Sequence, residues 1–321
     1  MVPRFLTEFD PRYGLAVEVS PGVTRVVADN PSKYTAWGTG TYIVGDAEVA
    51  VIDPGPDLAS HVDALLVALQ GRRVTHVLVT HTHSDHSPAA AAISAATGAP
   101  THGFGPHPEA AVGGDVADGG VADARAADDR AEGDRAEDDQ AVDESGDLEF
   151  VPDVVVLDGD VLEGDGFSFE CLHTPGHISN HVCFAERQRN LLFPGDHVMG
   201  WSTTVVSPPD GDMGDYVANL RRLVQRGSRG LDRTYLPTHG PAIDEPLPYV
   251  QALVEHRVAR DAQILELLDL GPRSVDDLVA VMYADVRPEL HAPAARSVLA
   301  HLLALRGRGL VEGTGDAWSP V

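Results

Sequence analysis

The sequence predicts a layered α/β protein followed by a small, mainly helical domain. Short apolar runs of strand length alternate with helical patterns up to about residue 247, and helical patterns dominate from about residue 248. The chain has 321 residues and is 43% hydrophobic, which is enough to build a core in each part. We therefore expect one domain at 1–247 and a second at 248–321.

The larger domain is predicted to begin with a hairpin. Residues 41–44 and 49–52 are strand-like and are separated by Gly45 and Asp46, which suit a turn. Helical apolar spacing covers 58–69, and again 89–96 after Pro88, a good first-turn residue. Further strands are predicted at 77–80, 154–157, 167–172, 181–184, 191–193 and 234–236, with a helix at 216–224.

A strongly acidic segment interrupts this domain at residues 108–147. Residues 107–149 carry 15 Asp and Glu side chains against three arginines, and residues 108–147 contain no aromatic side chain. Such a composition cannot bury enough apolar surface to offset the entropy lost on ordering. We therefore expect this insert to be disordered.

The C-terminal region has the pattern of a winged helix. A long amphipathic helix is predicted at 250–268 and a second at 274–282, with Ser274 as N-cap and Asp276 and Asp277 in the first turn. A third helix is predicted at 293–305, followed by a short hairpin around 309–313 and 317–318. Three helices and a hairpin in this order are typical of that domain.

The composition of the chain limits the kinds of molecule that it is expected to bind. The net charge is −26 and Lys33 is the only lysine, which disfavours a nucleic acid without excluding it. No apolar run reaches the roughly 18 residues that a membrane helix needs. The N-terminus has no apolar stretch of signal-peptide length, so we expect a cytoplasmic protein. Cys171 and Cys183 lie in apolar segments and are expected to be buried, reduced thiols.

The motif His81-Thr-His83-Ser-Asp85-His86 is the strongest functional signal in the chain. It places three imidazoles and one carboxylate within six residues, directly after the apolar run 77–80. Imidazole nitrogen and carboxylate oxygen are both zinc ligands. This density of ligand types predicts a metal site.

Three further positions repeat this chemistry downstream. His177, Asp196 and His239 each follow a strand-like run and lie in a turn that contains Gly or Pro. Loops at one end of a sheet can bring such residues to one point. The neighbouring histidines His173, His181 and His197 are interpreted as structural or supporting residues.

Together these motifs resemble the metallo-β-lactamase superfamily over roughly residues 15–245, the insert excluded. The resemblance implies a four-layer αβ/βα sandwich with a two-zinc site at one edge, and iron or manganese also suits these ligands. It implies that one zinc is bound by His81, His83 and His177. The second zinc would be bound by Asp85, His86 and His239, and Asp196 would bridge the two. Asp53 resembles the aspartate that supports the ligand loop.

The resemblance extends to particular branches of this superfamily. Asp196 occupies the bridging position that a true β-lactamase fills with cysteine, and the ligand pattern is similar to that of the glyoxalase-II-like and ribonuclease-like branches. Trp201-Ser-Thr-Thr204, His256-Arg257 and the winged helix resemble the lactamase-beta-like-two group. The best-known members of that group are endoribonucleases, and related proteins are acyl-carrier thioesterases.

The ligand set implies hydrolytic chemistry. Two zinc ions, Asp85, Asp196 and a bridging hydroxide give a net charge near +1, so bound water reaches a pKa of about 7 and an acyl or phosphoryl oxygen is polarised. The hydroxide attacks, and no serine or cysteine nucleophile is needed. Asp196, which holds both metals, and Asp85, which can also carry a proton, are the catalytic candidates.

Three functions remain open at this stage. The favoured one is hydrolysis of a small ester or thioester, because the body is acidic and the ligands are glyoxalase-II-like. A metal-dependent endoribonuclease is the alternative, and it would need a basic groove. A DNA-binding regulator is less favoured, because residues 248–321 hold seven arginines against ten acids and the third helix offers only Arg296. We expect this domain to form one wall of the active site or to mediate a homodimer.

Overall fold

The larger part of the chain folds into four layers. The computed structural model describes residues 3–108, 146–284, 291–314 and 317–321. Two β-sheets face each other, and helices cover the outer face of each sheet. This confirms the predicted αβ/βα sandwich. The predicted disordered insert lies outside the described residues, apart from its two ends.

The first sheet has seven strands in the described part of the chain, arranged in sequence order from β1 to β7. The strands are β1 Val17–Ser20, β2 Val23–Val27, β3 Gly40–Gly45, β4 Glu48–Ile52, β5 Arg73–Leu78, β6 Thr101–Gly103 and β7 Val154–Val155. The first four are antiparallel, and β4 to β7 run parallel. β3 and β4 form the predicted hairpin, which turns at Gly45 with a φ of 115°.

The second sheet has five described strands in the order β12-β11-β10-β9-β8. These are β8 Val161–Gly164, β9 Phe167–His173, β10 Val182–Glu186, β11 Leu191–Phe193 and β12 Thr234–Tyr235. Along β9, Phe167, Phe169 and Cys171 are buried in the core between the sheets, while the residues between them are more exposed. Successive side chains of a strand point to opposite faces, so this alternation sets which face of β9 meets the first sheet.

Aromatic and branched side chains fill the space between the two sheets. Tyr42 of β3 and Phe193 of β11 are both almost completely buried, and their rings pack edge to face with centroids 5.1 Å apart. Burial of one such side chain contributes roughly 1.5–3 kcal/mol. This central core fixes how the ends of the two sheets align, and those ends carry the site described below.

Two helices cover each sheet. α1 Ala59–Ala68 and α2 Ala89–Thr97 pack on the first sheet, and α3 Met213–Ser228 and α4 Pro246–Leu268 pack on the second. α3 begins earlier than the predicted residue 216 because Asp212 caps it, accepting a hydrogen bond from the backbone N–H of Asp215 at 2.8 Å.

The C-terminal region forms the predicted winged helix. The last turns of α4 pack on α5 Val275–Met282, on α6 His291–Gly307 and on the hairpin of β13 Val311–Thr314 and β14 Ala317–Pro320. Ser274 caps α5 as predicted, in a reciprocal capping box with Asp277. Because α4 contributes Leu253 to one core and Leu268 to the other, a single helix connects both units.

Across the described ranges, every helix is too short or too polar to traverse a bilayer.

Candidate metal centre

The predicted ligands lie on four loops at one edge of the sandwich. The motif at 81–86 follows β5, His177 follows β9, Asp196 follows β11 and His239 follows β12. Their ligand atoms form three overlapping groups in which all atoms lie within 4.8 Å of one another: His81, His83 and His177; His81, His86 and Asp196; and Asp85, His86 and His239. The fold therefore brings all seven residues together from loops that are far apart in sequence.

The first group is made of imidazoles. Nδ1 of His83 lies 2.9 Å from Nε2 of His81 and 3.1 Å from Nε2 of His177. Burial, together with the neighbouring His177, lowers the pKa of His83 to about 3, and burial likewise lowers the pKa of His81 and His177. Neutral imidazoles present the lone pairs that a metal ion requires.

The second group mixes carboxylates and imidazoles. Nε2 of His239 lies 3.1 Å from Oδ2 of Asp85 and 3.4 Å from Oδ1 of Asp196. Nε2 of His86 lies 3.5 Å from Asp85 Oδ2 and 3.6 Å from Asp196 Oδ1. Oδ2 of Asp196 also lies 4.0 Å from Nε2 of His177, so this carboxylate faces both groups. That is the position of a bridging ligand.

The charge of the second group favours a bound cation. Burial alone would raise the pKa of Asp85, but His86 and His239 outweigh it and lower that pKa to about 2. Burial alone would lower the pKa of His239, but Asp196 and Asp85 raise it to about 10. In the metal-free centre the two buried carboxylates are thus balanced by protons on the imidazoles, and a metal ion would take the place of those protons.

Two buried polar atoms without a hydrogen-bond partner indicate whether a metal ion fits this site. Nε2 of His86 and Oδ1 of Asp196 are buried, and neither has a hydrogen-bond partner among the described residues. Buried polar atoms are rarely left in this way, and each such case requires an explanation. Both atoms belong to the ligand groups described above, so the donor set fits a metal ion.

Hydrogen bonds on the far ring nitrogen orient the ligating histidines. Nδ1 of His177 donates to the carbonyl of Val205 at 2.6 Å, and Nδ1 of His239 donates to the carbonyl of Gly38 at 3.2 Å. His86 donates from Nδ1 to Asp53 at 2.9 Å. With Nδ1 engaged in these hydrogen bonds, Nε2 of each ring faces the centre. It is the nitrogen that a metal ion would bind, in place of the proton that the raised pKa of His239 indicates in the metal-free centre.

Asp53 holds the loops together, as the resemblance implied. It is 1% exposed, and its carboxylate accepts hydrogen bonds from the backbone and hydroxyl of Thr80 at 2.8 and 2.9 Å. It also accepts from the hydroxyl of Thr238 at 2.7 Å, besides the bond from His86. One carboxylate therefore joins the ends of β4, β5 and β12.

A glycine allows the loop after β11 to approach this network. Gly195 has a φ of 50°, and a Cβ at this position would lie 2.7 Å from His181 Nε2 and 2.8 Å from Thr80 Oγ1. Both the backbone conformation and the close approach favour glycine. The turn delivers Asp196, the next residue, into the centre.

The neighbouring histidines support the centre. His181 is fully buried, with Nδ1 2.9 Å from the Thr174 hydroxyl and Nε2 accepting from the backbone of Asp196 at 3.3 Å. His173 stacks on Phe104 with ring centroids 3.7 Å apart. His181, His173 and His197 occur in none of the three ligand groups found among the described residues.

The last two residues of the predicted insert contact the 81–86 motif. Gly146 pairs with His83 in an isolated bridge, and the backbone of Asp147 donates to Thr82 at 2.8 Å. The hydroxyl of Ser87 also donates to Asp147, at 2.6 Å. Residues 109–145, which make up nearly all of the insert, lie outside the described residues, so its disorder stays a prediction.

Sequence analysis missed the threonines that support the ligands. Thr80 and Thr238 each come directly before a ligating histidine, and both donate to Asp53. Thr204 donates from its hydroxyl to the backbone carbonyl of Asp196 at 2.7 Å. The repeated Thr-His pair at the end of a strand was the available signal for the first two.

Two family models match the chain. That of the metallo-beta-lactamase superfamily matches residues 37–239, and that of the beta-lactamase associated winged helix domain matches residues 274–318.

Curated relatives match over most of their length. An atrochrysone carboxyl ACP thioesterase of Aspergillus fumigatus is 30% identical over 303 residues, covering 88% of this chain and 81% of the relative. A beta-lactamase-like protein 2 homolog of Caenorhabditis elegans is 26% identical over 303 residues, covering 92% and 88% respectively. The latter agrees with the resemblance to the lactamase-beta-like-two group.

Solved structures share the fold. A metallo-beta-lactamase family protein of Thermus thermophilus superposes with a TM-score of 0.68 at 21% identity, covering 95% of this chain and 100% of that one. A beta-lactamase domain protein of Burkholderia ambifaria gives 0.72 at 18% identity, covering 97% and 95%. The family-model match over residues 37–239 and the 30%-identical relative, together with the His/Asp cluster, show that the chain belongs to the metallo-β-lactamase superfamily, as a metal-dependent hydrolase with the associated winged helix at its C-terminus.

Proposed function

We propose that the chain hydrolyses a small ester or thioester at a two-zinc centre. The three imidazoles of the first group would hold one ion, and Asp85, His86 and His239 would hold the second. Asp196, which faces both groups, would be a ligand to each ion. Iron or manganese suits the same ligands. When bound, such a metal pair supplies water with a pKa near about 7 and polarises the acyl oxygen.

The convergence of the seven ligands at one edge of the sandwich carries this proposal. Oxygen atoms of Asp196 face His177 on one side and His86 and His239 on the other. Asp85 and Asp196 have lowered pKa values, despite burial, because of the neighbouring imidazoles, so both are ionised at neutral pH. Both carboxylates would therefore bind a metal ion without first losing a proton. A pKa this low makes Asp85 a weak proton acceptor, so we propose it first as a ligand and only secondarily as a proton carrier.

The cysteines do not offer an alternative nucleophile. Cys171 and Cys183 are both buried, and burial raises the pKa of each thiol to about 12. A thiol with this pKa stays protonated at neutral pH, and the thiolate is the nucleophilic form. Covalent catalysis by cysteine is thereby disfavoured.

Relatives support an acyl substrate. Among the similar curated proteins, those of Aspergillus terreus and Aspergillus fumigatus, at 25% and 30% identity, are named atrochrysone carboxyl ACP thioesterases. The strong negative charge of this chain also suits a small substrate better than a polyanion.

Three of the described arginines in the C-terminal region make contacts within that region. Arg306 lies over the ring of Trp318 at 5.6 Å, and Arg308 pairs with Asp261 at 2.7 Å. Arg273 donates to the carbonyl of Leu267 at 3.0 Å. Arginines held in this way contribute little to phosphate binding, which weakens the DNA-binding alternative.

Hydrolysis assays test the proposal and its nearest competitor together. Zinc-loaded protein is offered acyl-thioesters of small thiols and, separately, a single-stranded RNA. We expect thioester turnover that disappears in the double variant Asp85→Ala/His86→Ala. Mass spectrometry under native conditions should find two zinc ions per chain in the wild type and fewer in Asp196→Ala.

Controls make the outcomes distinct. His76→Ala changes a histidine of β5 that lies outside the ligand groups, and it should keep metal and activity. RNA cleavage that is lost in the double variant would replace the thioesterase assignment with a ribonuclease. Full activity with one zinc per chain would refute the two-metal arrangement.

A further inference from the structure

A buried arginine on α4 has no carboxylate partner in the described part of the chain. Arg257 is 3% exposed, and its Nε atom is buried with no hydrogen-bond partner among these residues. A buried charge without an opposite charge is costly, and replacing it with an apolar side chain is often neutral or stabilising. The stability of α4 therefore does not account for this residue.

The guanidinium of Arg257 connects three elements. It extends from α4, and its Cζ lies 5.3 Å from the centroid of the Tyr216 ring on α3. Its Nη2 donates to the backbone carbonyl of Thr204 at 2.5 Å, and Thr204 is 2% exposed. The arginine thus fixes the loop after β11 at one buried point.

That point is where two metal ligands are oriented. The hydroxyl of Thr204 donates to the backbone carbonyl of Asp196 at 2.7 Å. The next carbonyl, that of Val205, accepts the hydrogen bond from Nδ1 of His177 at 2.6 Å. Residues 204 and 205 therefore hold the backbone of Asp196 and the imidazole of His177, which come from loops after different strands.

We propose that Arg257 is a positioning residue that sets the geometry of Asp196 and His177 from α4. This inference rests on the proposed metal centre and explains why α4, which continues into the winged helix, packs behind it. Arg257 is enclosed by α3, α4 and the loop after β11, so it acts on Asp196 and His177 through residues 204 and 205. Loss of the guanidinium leaves the loop free to shift and the ligands misplaced.

The substitution Arg257→Met removes the charge and keeps a long apolar stem. We expect about a 10–100-fold loss of zinc affinity in competition with a chelator, and a fall in kcat of similar size. KM should stay within about twofold, because Arg257 does not touch substrate. The variant loses the hydrogen bond to the Thr204 carbonyl together with a costly buried charge, so the melting temperature of the metal-free protein is measured to show that it still folds. Arg257→Lys should recover part of the affinity, because an ammonium can also donate to the Thr204 carbonyl.

Arg260→Met is the matched control. Arg260 lies on the same helix, donates to Gln263 at 2.7 Å and lies over the ring of Tyr283. Zinc affinity and kcat should stay at wild-type values in this variant. An equal loss in Arg260→Met, or wild-type zinc affinity in Arg257→Met, would overturn the inference.

A second variant covers the case in which Arg257→Met does not fold. Thr204→Val keeps the carbonyl that Arg257 binds and removes the hydroxyl that holds Asp196, so it should lose zinc affinity in the same range. Unchanged affinity in Thr204→Val would contradict the inference. Wild-type protein that binds no metal would remove the proposed function and this inference together, whereas wild-type protein that binds zinc and hydrolyses thioesters leaves the variants to judge the arginine alone.

Discussion

Single residues behind the ligands decide the geometry of this centre. Asp53 is a buried carboxylate that receives four hydrogen bonds, from the backbone and hydroxyl of Thr80, from His86 and from Thr238. Its φ of 47° turns the chain at the end of β4 so that the carboxylate points back toward these donors. The ligand His86 is therefore oriented by a residue that the metal itself need not touch.

Substitution Asp53→Ala should weaken both the fold and the metal site. It leaves several buried donors without an acceptor, at about 1–3 kcal/mol each, so we expect roughly 3 kcal/mol or more of lost stability. Zinc affinity should fall by about 10–100-fold. Denaturant unfolding and chelator competition measure the two effects. A variant with wild-type unfolding and wild-type zinc content would show that Asp53 does not support the centre.

At the scale of secondary-structure elements, the start of a helix is determined by residues that are close together in sequence. α5 begins where Ser274 accepts from the backbone of Asp277 at 3.1 Å, while Asp277 accepts from the backbone of Ser274 at 3.1 Å. Such a reciprocal cap satisfies N–H groups at the start of a helix that otherwise have no partner. Because the pattern lies within four residues, the sequence was sufficient to predict it.

Substitution Ser274→Ala should destabilise the winged helix by about 1 kcal/mol, the usual cost of a lost N-cap. Ser274→Thr keeps a hydroxyl and should stay close to the wild type. Urea unfolding followed by circular dichroism compares the three proteins. Equal stability of the Ala and Thr variants would mean that the cap contributes nothing to this domain.

At the scale of the whole molecule, buried neutral histidines couple stability to pH. Burial lowers the pKa of His61, His102 and His256 to about 4 in each case. The same groups titrate near about 6.5 in an unfolded chain. As the pH falls below that value, the unfolded chain binds protons that the folded protein does not, so the free energy of unfolding decreases until the pH reaches about 4.

The contribution of His61 can be isolated. Its Nε2 lies 3.0 Å from both the Thr41 hydroxyl and the Pro54 carbonyl, and the amide of glutamine can supply a similar donor. We expect the stability of metal-free His61→Gln to fall less steeply than that of the wild type between about pH 6.5 and pH 4. Urea unfolding at pH 7, 6 and 5 measures both slopes. Parallel slopes would show that His61 is not the neutral, buried group inferred here.

The sequence by itself determined the candidate ligands and the long elements. Ligand identity is written in the residue types of 81–86 and of three later turns, and the apolar spacing of a helix such as α4 repeats every few residues along the chain. The layered fold and the winged helix followed from the order of these elements. The short strands β1, β2, β6 and β8 were not predicted, because polar residues or glycine interrupt their apolar runs, whereas the equally short β11 is a continuous apolar run.

Tertiary structure alone decided what surrounds the ligands. Thr80, Thr204 and Thr238 support the centre only because loops that are far apart in sequence meet at one edge of the sandwich. Arg257 donates to the Thr204 carbonyl from a helix more than fifty residues further along the chain. Gly146 likewise pairs with His83, which lies on a distant loop. A hydrogen bond between distant segments depends on how the sheets and helices pack, and no local pattern of residue types encodes that packing.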